Sequence, residues 1–406
     1  MGQVGTEATL QDILGVAKNI KSFTEIIAKG ETTETWRGFQ TLLDDGLAET
    51  MCPPGTQLVD KWEKAAGTSY DTPWDIVHYE DDGGSAFLKW HYSTPDGIPF
   101  DEPEAIYFAP SGGLPAGTYH ILIGASYGTG WSTAKAIQFT LAAAMDAGDQ
   151  LVINCGTNYA NDPTNGRAWN VYAKGSTTSK QSGTTSNGTD GTSLGTIGAT
   201  NAHKPEGNLN AISRVVYGYA RWSQSAMRQW LNSQAAAGAW WTPQNDWDRP
   251  PSVAATLRGF MAGISHEMYA VMQKSQIVTA LNTQEGFTTD RETTEDYFFL
   301  PSLEQMYINP QLAGVEGDSW DYYKELAEEI GLPGMFQQYG TYPILITYNC
   351  SNTTSPVYVW LRSCNRGSAY YEWHVYISGN VGGNYAFSAF RSCPACKISK
   401  SAPVIQ

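Results

Sequence analysis

The sequence predicts an α+β fold in which a β-rich, sandwich-like amino-terminal domain precedes a mixed carboxy-terminal domain. Three observations carry this. Gly and Pro number 41 and 20, aromatic residues are 12%, and charged residues are 16% against the ~25% of average usage, a mixture suited to turn-rich sheets with neutral-polar surfaces. Short apolar runs recur between turn residues such as Pro95-Asp-Gly97 and Ser111-Gly-Gly113. Helix-like segments and then strands follow in the second half, the order expected of α+β rather than alternating α/β. The 406 residues leave room for two to three domains at ~150 residues each.

In chain order, Thr9-Leu-Gln-Asp12 reads as a helix-capping signature. Ile13, Val16, Ile20, Phe23 and Ile27 then alternate at spacings of three and four up to Gly30, so 1–50 is expected to be a helical segment. Its stripe suits packing on its own domain or a short homotypic coiled coil, an oligomerisation device. Residues 51–175 are expected to form the β-rich domain. Its strands are read at Phe87 to Tyr92, Ala105 to Ala109, Thr118 to Ile123, Ala136 to Leu141, Gln150 to Cys155 and Ala168 to Lys174. Residues 176–205, nearly all Ser, Thr, Gly and Asn, are expected to be a loop or linker, because they carry little apolar surface to bury. Residues 206–398 form the last domain, with helices at Ser223 to Ser233, Ala254 to Met272 and Ser319 to Ile330 and strands from Tyr342 to Ile398.

Charge and composition exclude several function classes. With 25 Lys and Arg against 40 Asp and Glu, the net charge of −15 argues against a phosphate-backbone binder, so no nucleic-acid partner is expected. The apolar runs Tyr342 to Tyr348 and Phe139 to Met145 fall short of the ~18 residues of a membrane span, so no membrane insertion is expected. Met1 to Thr9 lacks a basic and an apolar region, so synthesis in the cytoplasm is expected. Six cysteines (Cys52, Cys155, Cys350, Cys364, Cys393, Cys396) are too few for a disulfide scaffold, and any bridge would be local to the carboxy-terminal end.

Gly124-Ala-Ser-Tyr-Gly128 fits the nucleophile-elbow pattern after a strand, but Thr129-Gly130-Trp131 follows instead of a helix, so a tight turn is preferred over a catalytic Ser126. Cys393-Pro-Ala-Cys396 has no second pair, which argues against zinc. The acidic clusters Glu80-Asp-Asp82, Asp101-Glu102 with Glu104, and Glu292 with Glu295-Asp296 lack EF-hand spacing and are read as solvated loop charge. No metal, cofactor or catalytic residue is therefore assigned.

Ser363 to Ser392 is the informative segment. It is rich in Tyr, Ser, Gly and Asn, with only Arg366 and Glu372 charged between residues 365 and 390. This is the vocabulary of antibody loops, in which Tyr offers rigid amphipathic area and the small polar residues adapt. On a strand Glu372 to Ser378, Trp373, Val375 and Ile377 would face the core and Glu372, His374 and Tyr376 would be displayed. A sheet with a neutral polar outer side is the equal alternative.

The segments Ser225-Ala-Met-Arg-Gln-Trp-Leu-Asn232, Trp247-Asp-Arg-Pro-Pro251, Phe299-Leu-Pro-Ser-Leu-Glu-Gln-Met-Tyr307, Trp360-Leu-Arg-Ser-Cys-Asn-Arg-Gly367 and Arg391-Ser-Cys-Pro-Ala-Cys396 resemble variable proteins of diversity-generating retroelements. The resemblance covers roughly residues 206 to 398 and is weaker before them. It implies a C-type-lectin-like carboxy-terminal domain, related to the fold of formylglycine-generating enzymes. In that family adenine randomisation of template codons yields Asn, Tyr, Ser, His, Ile, Gly, Phe or Ala at varied positions, never Glu, Gln, Lys, Met or Trp. Carried onto this chain, the variable, ligand-binding face comprises Asn365, Gly367, Ser368, Tyr370, Tyr371, His374, Tyr376, Ile377, Ser378, Asn380, Gly382, Gly383, Asn384, Tyr385, Phe387, Ser388, Ala389 and Phe390. Trp373, Val375, Gly379 and Val381, with Ala369 and Ala386, form its fixed frame, and Glu372 is fixed. Cys364 and Cys393 stand where Ala is expected in such proteins and form a candidate thiol pair on neighbouring strands.

The resemblance implies a non-enzymatic phage receptor-binding protein or tail-fibre adhesin on the virion surface. Its partners would be a host cell-surface protein or glycan and other virion proteins, and it would be a homotrimer. Calcium-dependent sugar binding is not expected, since no Gln-Pro-Asp, Glu-Pro-Asn or Trp-Asn-Asp triplet is present. The alternatives are a head or tail decoration protein without a receptor, a hydrolase using Ser126, and an oxidase using Cys350 and Cys364. Mass measurement in solution is expected to give a trimer that Ile20→Asp weakens; a monomer at micromolar concentration contradicts the trimer.

Overall fold

Trp36, Phe39, Leu42 and Leu43 share one face at helical spacing, and in the computed structural model they are buried on helix α1, Trp36–Asp45. Thr35 caps it by accepting from the Gly38 N–H at 3.1 Å, and Gly46 at φ 70° ends it. The structure describes residues 35–80, 82–101, 105–108, 112–123, 135–154, 166–197, 214–216, 219–244, 248–283, 287–368 and 370–401. The expected helix at 9–30, Ser126 in its turn, Cys155 and Ala369 lie outside the described residues.

After the short helix α2, Ala48–Met51, come strands β1 (Gln57–Ala65), β2 (Thr68–Tyr79), β3 (Ser85–Trp90) and β4 (Ile98–Pro99). Next follow β5 (Ala105–Phe108), β6 (Gly117–Ile123), β7 (Lys135–Leu141), β8 (Gln150–Asn154), β9 (Ala168–Tyr172), β10 (Ser179–Thr184), β11 (Thr192–Ile197) and β12 (Arg214–Val216). The remainder holds helices α3 (Ala226–Leu231) and α4 (His266–Val271), strands β13 (Met272–Gln273), β14 (Ser275–Ala280) and β15 (Arg291–Asp296), and helix α5 (Asp321–Glu329). It closes with β16 (Thr347–Asn349), β17 (Asn352–Val357), β18 (Val359–Cys364), β19 (Tyr371–Val375), β20 (Val381–Tyr385), β21 (Ala389–Phe390) and β22 (Ala395–Ser399). The protein is therefore α+β and mostly β.

The chain divides differently from the expected boundaries at 50, 175 and 205. β22 pairs antiparallel with β3, Ala395 opposite Lys89 and Ile398 opposite Ala86, in a sheet of order β1-β2-β3-β22-β13. A central strand needs partners on both edges, and β3 finds its second one some 300 residues later in the chain. One core accordingly joins residues 36–100 to 222–398. At its centre Trp90 packs against Trp62, Trp74 and Phe260 with ring centroids 5.7, 5.9 and 5.2 Å away. Strands β5–β12 form two other sheets, ordered β10-β9-β8-β5-β12 and β11-β6-β7, around a separate core of Ile121, Ile137, Phe139, Leu151, Ile153, Trp169 and Val171. Arg249 links the two cores: its guanidinium lies 4.3 Å from the Tyr172 ring centre and donates to Gln150.

Three further expectations are corrected. The described part of the expected linker, 176–197, carries β10 and β11. Its neighbours supply the apolar surface it lacks: Gly183 lies so close to Trp169 that a Cβ would sit 2.6 Å from the ring, and Leu194 packs on the second core. The expected helix from 254 to 272 is broken into 3-10 turns at Ser252–Ala255 and Phe260–Gly263 and then α4. The acidic residues read as loop charge include structural acceptors. Asp296 is 1% exposed and takes hydrogen bonds from Trp222 Nε1, Arg228 Nε and Thr294 Oγ1 at 3.0, 2.7 and 2.6 Å.

Arg362 on β18 ties these pieces together. It is fully buried, and all five of its N–H donors have acceptors: Thr279 Oγ1, Leu300 O, Gln305 Oε1, Val278 O and Glu316 O, between 2.6 and 3.2 Å. Arg362→Met is expected to cost about 3 kcal/mol or more, because it strands three buried segments without their donor. Arg362→Lys should recover only part of this, having three donors instead of five. Urea denaturation checks both; a loss of Arg362→Met stability under about 1 kcal/mol contradicts the assignment.

Candidate binding face

The informative segment folds as the sheet β18-β19-β20. Strand alternation sorts its side chains: Tyr371 opposite Tyr385, Trp373 opposite Gly383 and Val375 opposite Val381 on one face, Glu372 opposite Asn384 and His374 opposite Gly382 on the other. β18 adds Trp360 beside His374 and Cys364 beside Glu372. Trp373, Val375 and Val381 are buried. Gly379 closes the β19–β20 turn at φ 79°, where a Cβ would stand 2.1 Å from the Tyr342 carbonyl oxygen, so only Gly fits.

Around this frame the aromatic residues form two groups. Tyr370, Tyr385 and Phe387 stack in series, with centroids 5.8 and 5.5 Å apart, and Tyr371 meets Tyr385 at 4.9 Å; all four are half-buried. Tyr358, Tyr376 and Phe390 form a second group over His374, at 6.0, 4.1 and 4.9 Å. Tyr339, which the sequence reading did not single out, joins the first face. It is 68% exposed, its ring lies 5.3 Å from that of Trp373, and its N–H donates to Val381 O at 2.8 Å. Its φ of 61° is rare for a residue with a Cβ, and such strain concentrates at binding and catalytic sites. Nothing in Gln-Tyr-Gly signals that conformation.

Of the other expected face residues, Gly367, Ile377, Ser378 and Ala389 are exposed, and Asn365, Asn380, Gly383, Asn384 and Ser388 are partly so. Asn380 is a clamp as well: its Nδ2 donates to Tyr339 O, Gly340 O and Thr341 Oγ1 at 3.1, 3.1 and 3.2 Å.

Four residues expected on the displayed side are buried, Glu372 among them at 0% exposure. His374 is 0% exposed because Trp360 and the second aromatic group enclose it. Gly382 lies under the Tyr376 ring, 2.7 Å from where its Cβ would be, and Ser368 is turned inward with its Oγ accepting from the Tyr370 N–H at 3.3 Å. The regular strand also ends at Val375, so Ile377 does not join the core but sits in the turn at 42% exposure. Cys364 and Cys393 do not pair. Val359 is bridged to Arg391, so Cys364 lies five residues further along β18, where its thiol donates to Ala280 O at 3.1 Å. Cys393 neighbours Cys350 instead. Among the described residues, no group of three or more His, Cys, Asp or Glu could hold a metal ion.

Glu372 and His374 are the face's electrostatic anomaly. Both are fully buried on one side of β19, and neither the carboxylate oxygens nor the ring nitrogens have hydrogen-bond partners. Burial pushes the Glu372 carboxyl well above its usual range, and nearby Glu316 adds to this. Burial drops the His374 imidazole to about 3, against which the nearby backbone of Gly382 and Glu372 works without reaching hydrogen-bonding geometry. The consequences for stability have opposite signs. Below pH 6.5 the unfolded histidine takes up a proton that the folded one refuses, so the fold loses up to about 1.4 kcal/mol per pH unit down to about 3. Above pH 4.5 the unfolded glutamate releases a proton that the folded one retains, so stability falls as pH rises. Glu372→Gln should raise Tm at pH 8 with little effect at pH 4, and His374→Phe should flatten the acid limb below pH 6.5. Melting curves across pH check both, and parallel curves for wild type and variants would contradict the burial.

Residues 204–400 match a family model described as a domain of unknown function (DUF6273). The match takes in β18–β22 and the binding-face segment but leaves out β1–β3, the strands on which β22 closes the sheet. Comparison with curated proteins and with solved structures found no match.

Proposed function

We propose that the protein is a virion surface adhesin whose carboxy-terminal, C-type-lectin-like domain binds a host-surface protein or glycan through a face diversified by a retroelement. The observation that carries this reading is the stack Tyr370–Tyr385–Phe387 with Tyr371 and exposed Tyr339, set on a frame of buried Trp373, Val375 and Val381. Half-exposed aromatic rings in one patch are an aggregation hazard without a partner and strong anchors with one. The frame fixes where the rings stand, so side chains can vary while the backbone does not. Function here is binding without chemistry, and several copies on one particle would multiply weak single-site affinity by orders of magnitude.

Fluorescently labelled protein titrated onto a panel of bacterial isolates, read by flow cytometry, tests the reading. Binding to a subset of isolates is expected. Tyr385→Ala and Phe387→Ala should each weaken it roughly thirtyfold, the effect of losing ~2 kcal/mol at an interface, with Tm within a few degrees of wild type. Binding to no isolate favours a decoration protein without a receptor. Variants that melt early would make these rings core instead of contact surface.

A further inference from the structure

A second site lies against the Val359 and Val375 end of β18 and β19, distinct in role from the tyrosine stack. The face of the main sheet opposite its tryptophans carries Asp75 on β2 and Lys89 on β3, directly opposite each other in the register. Between that face, α5 and the backs of Val359, Leu361 and Val375 there is a cavity of about 210 Å³. Lys89 lines it and is 6% exposed, yet its Nζ makes one hydrogen bond, 2.7 Å to the Trp90 carbonyl oxygen. An ammonium has three donors, and a buried one that leaves two unused is costly unless something enters to accept them. Asp75 across from it is already matched: it accepts from Gln57 Nε2 at 2.8 Å and from His91 Nδ1 at 3.0 Å, and it makes no ion pair with Lys89.

We propose that this cavity binds a small monocarboxylate with a short aliphatic body, its carboxylate on Lys89 and its body against Leu361 and Val375. The size argues for a small ligand. It lies below the roughly 300–1,000 Å³ of pockets for drug-sized molecules. Tyr322 and Tyr323 line the cavity as well. Burial keeps the Tyr322 and Tyr323 hydroxyls neutral, and neither hydroxyl has a hydrogen-bond partner among the described residues, so both remain donors. This site goes beyond the adhesin reading and stands or falls independently of it.

Calorimetric titration of the full chain with isovalerate, a carboxylate on a short branched aliphatic body, tests the proposal. Isovalerate is expected to bind one per chain. Its neutral isostere isovaleramide and the cation isopentylamine should bind roughly tenfold more weakly or worse, the effect of losing a charge-assisted hydrogen bond. Lys89→Met should bring isovalerate down to the level of the amide, and Leu326→Trp, which fills the cavity from α5, should abolish binding. Equal binding of acid and amide, tighter binding of the amine, no saturable binding of isovalerate, or unchanged binding by Lys89→Met would each overturn the proposal. Should Lys89→Met fail to fold, the comparison of the three ligands on wild type still decides.

Discussion

A single buried guanidinium organises the half of the molecule that carries the tyrosine face. Arg362 keeps its charge, because burial lowers it only to about 10 while Glu316 and Asp296 hold it up. A charge buried without partners would unfold the region, so every segment that supplies a carbonyl or hydroxyl to it is fixed in place: β14 through Val278 and Thr279, the 300–305 stretch, and Glu316. β18 is thereby pinned along its outer side, and β19 and β20 hang from its other edge. The tyrosine face inherits its position from an interaction that lies behind it.

That arrangement explains how a segment of Tyr, Ser, Gly and Asn can be ordered at all. Its own apolar contribution is small, namely Trp373, Val375, Val381 and Ala386. The rest of the order comes from backbone pairing on a pinned strand, from Asn380 clamping Tyr339 to Thr341, and from rings that stack on one another. Each half-buried ring covers a neighbour and leaves part of its own surface exposed. Glu372 and His374 are destabilising in isolation, and a frame this strongly braced tolerates them.

Much of the architecture was legible in the sequence because strands announce themselves by short apolar runs between turns. The runs read at 87, 105, 118, 136, 150 and 168 coincide with β3 and β5–β9 to within two residues at each start. What stayed hidden depends on distant residues. The pairing of Ala395 with Lys89 has no local signature, so a discontinuous core looked like two consecutive domains. β10 and β11 carry almost no apolar residues and are strands because Trp169 and β6 lie beside them. At the face, alternation assigned Glu372, His374 and Tyr376 to one side, but it could not show that Glu372 and His374 would be buried there, His374 beneath Tyr358, Phe390 and Trp360.

On the adhesin proposal this sheet separates a fixed frame from a surface free to change. Sequencing many natural copies of the gene from one population measures that separation directly. The account predicts substitutions crowded at the surface positions, Tyr370, Tyr371, Tyr385 and Phe387 among them, with Arg362, Trp373, Val375, Gly379 and Val381 unchanged, and a near-copy of codons 360–396 beside a reverse transcriptase. Substitutions spread evenly along the chain, or found at Trp373 and Gly379 as often as at Tyr385, would contradict it.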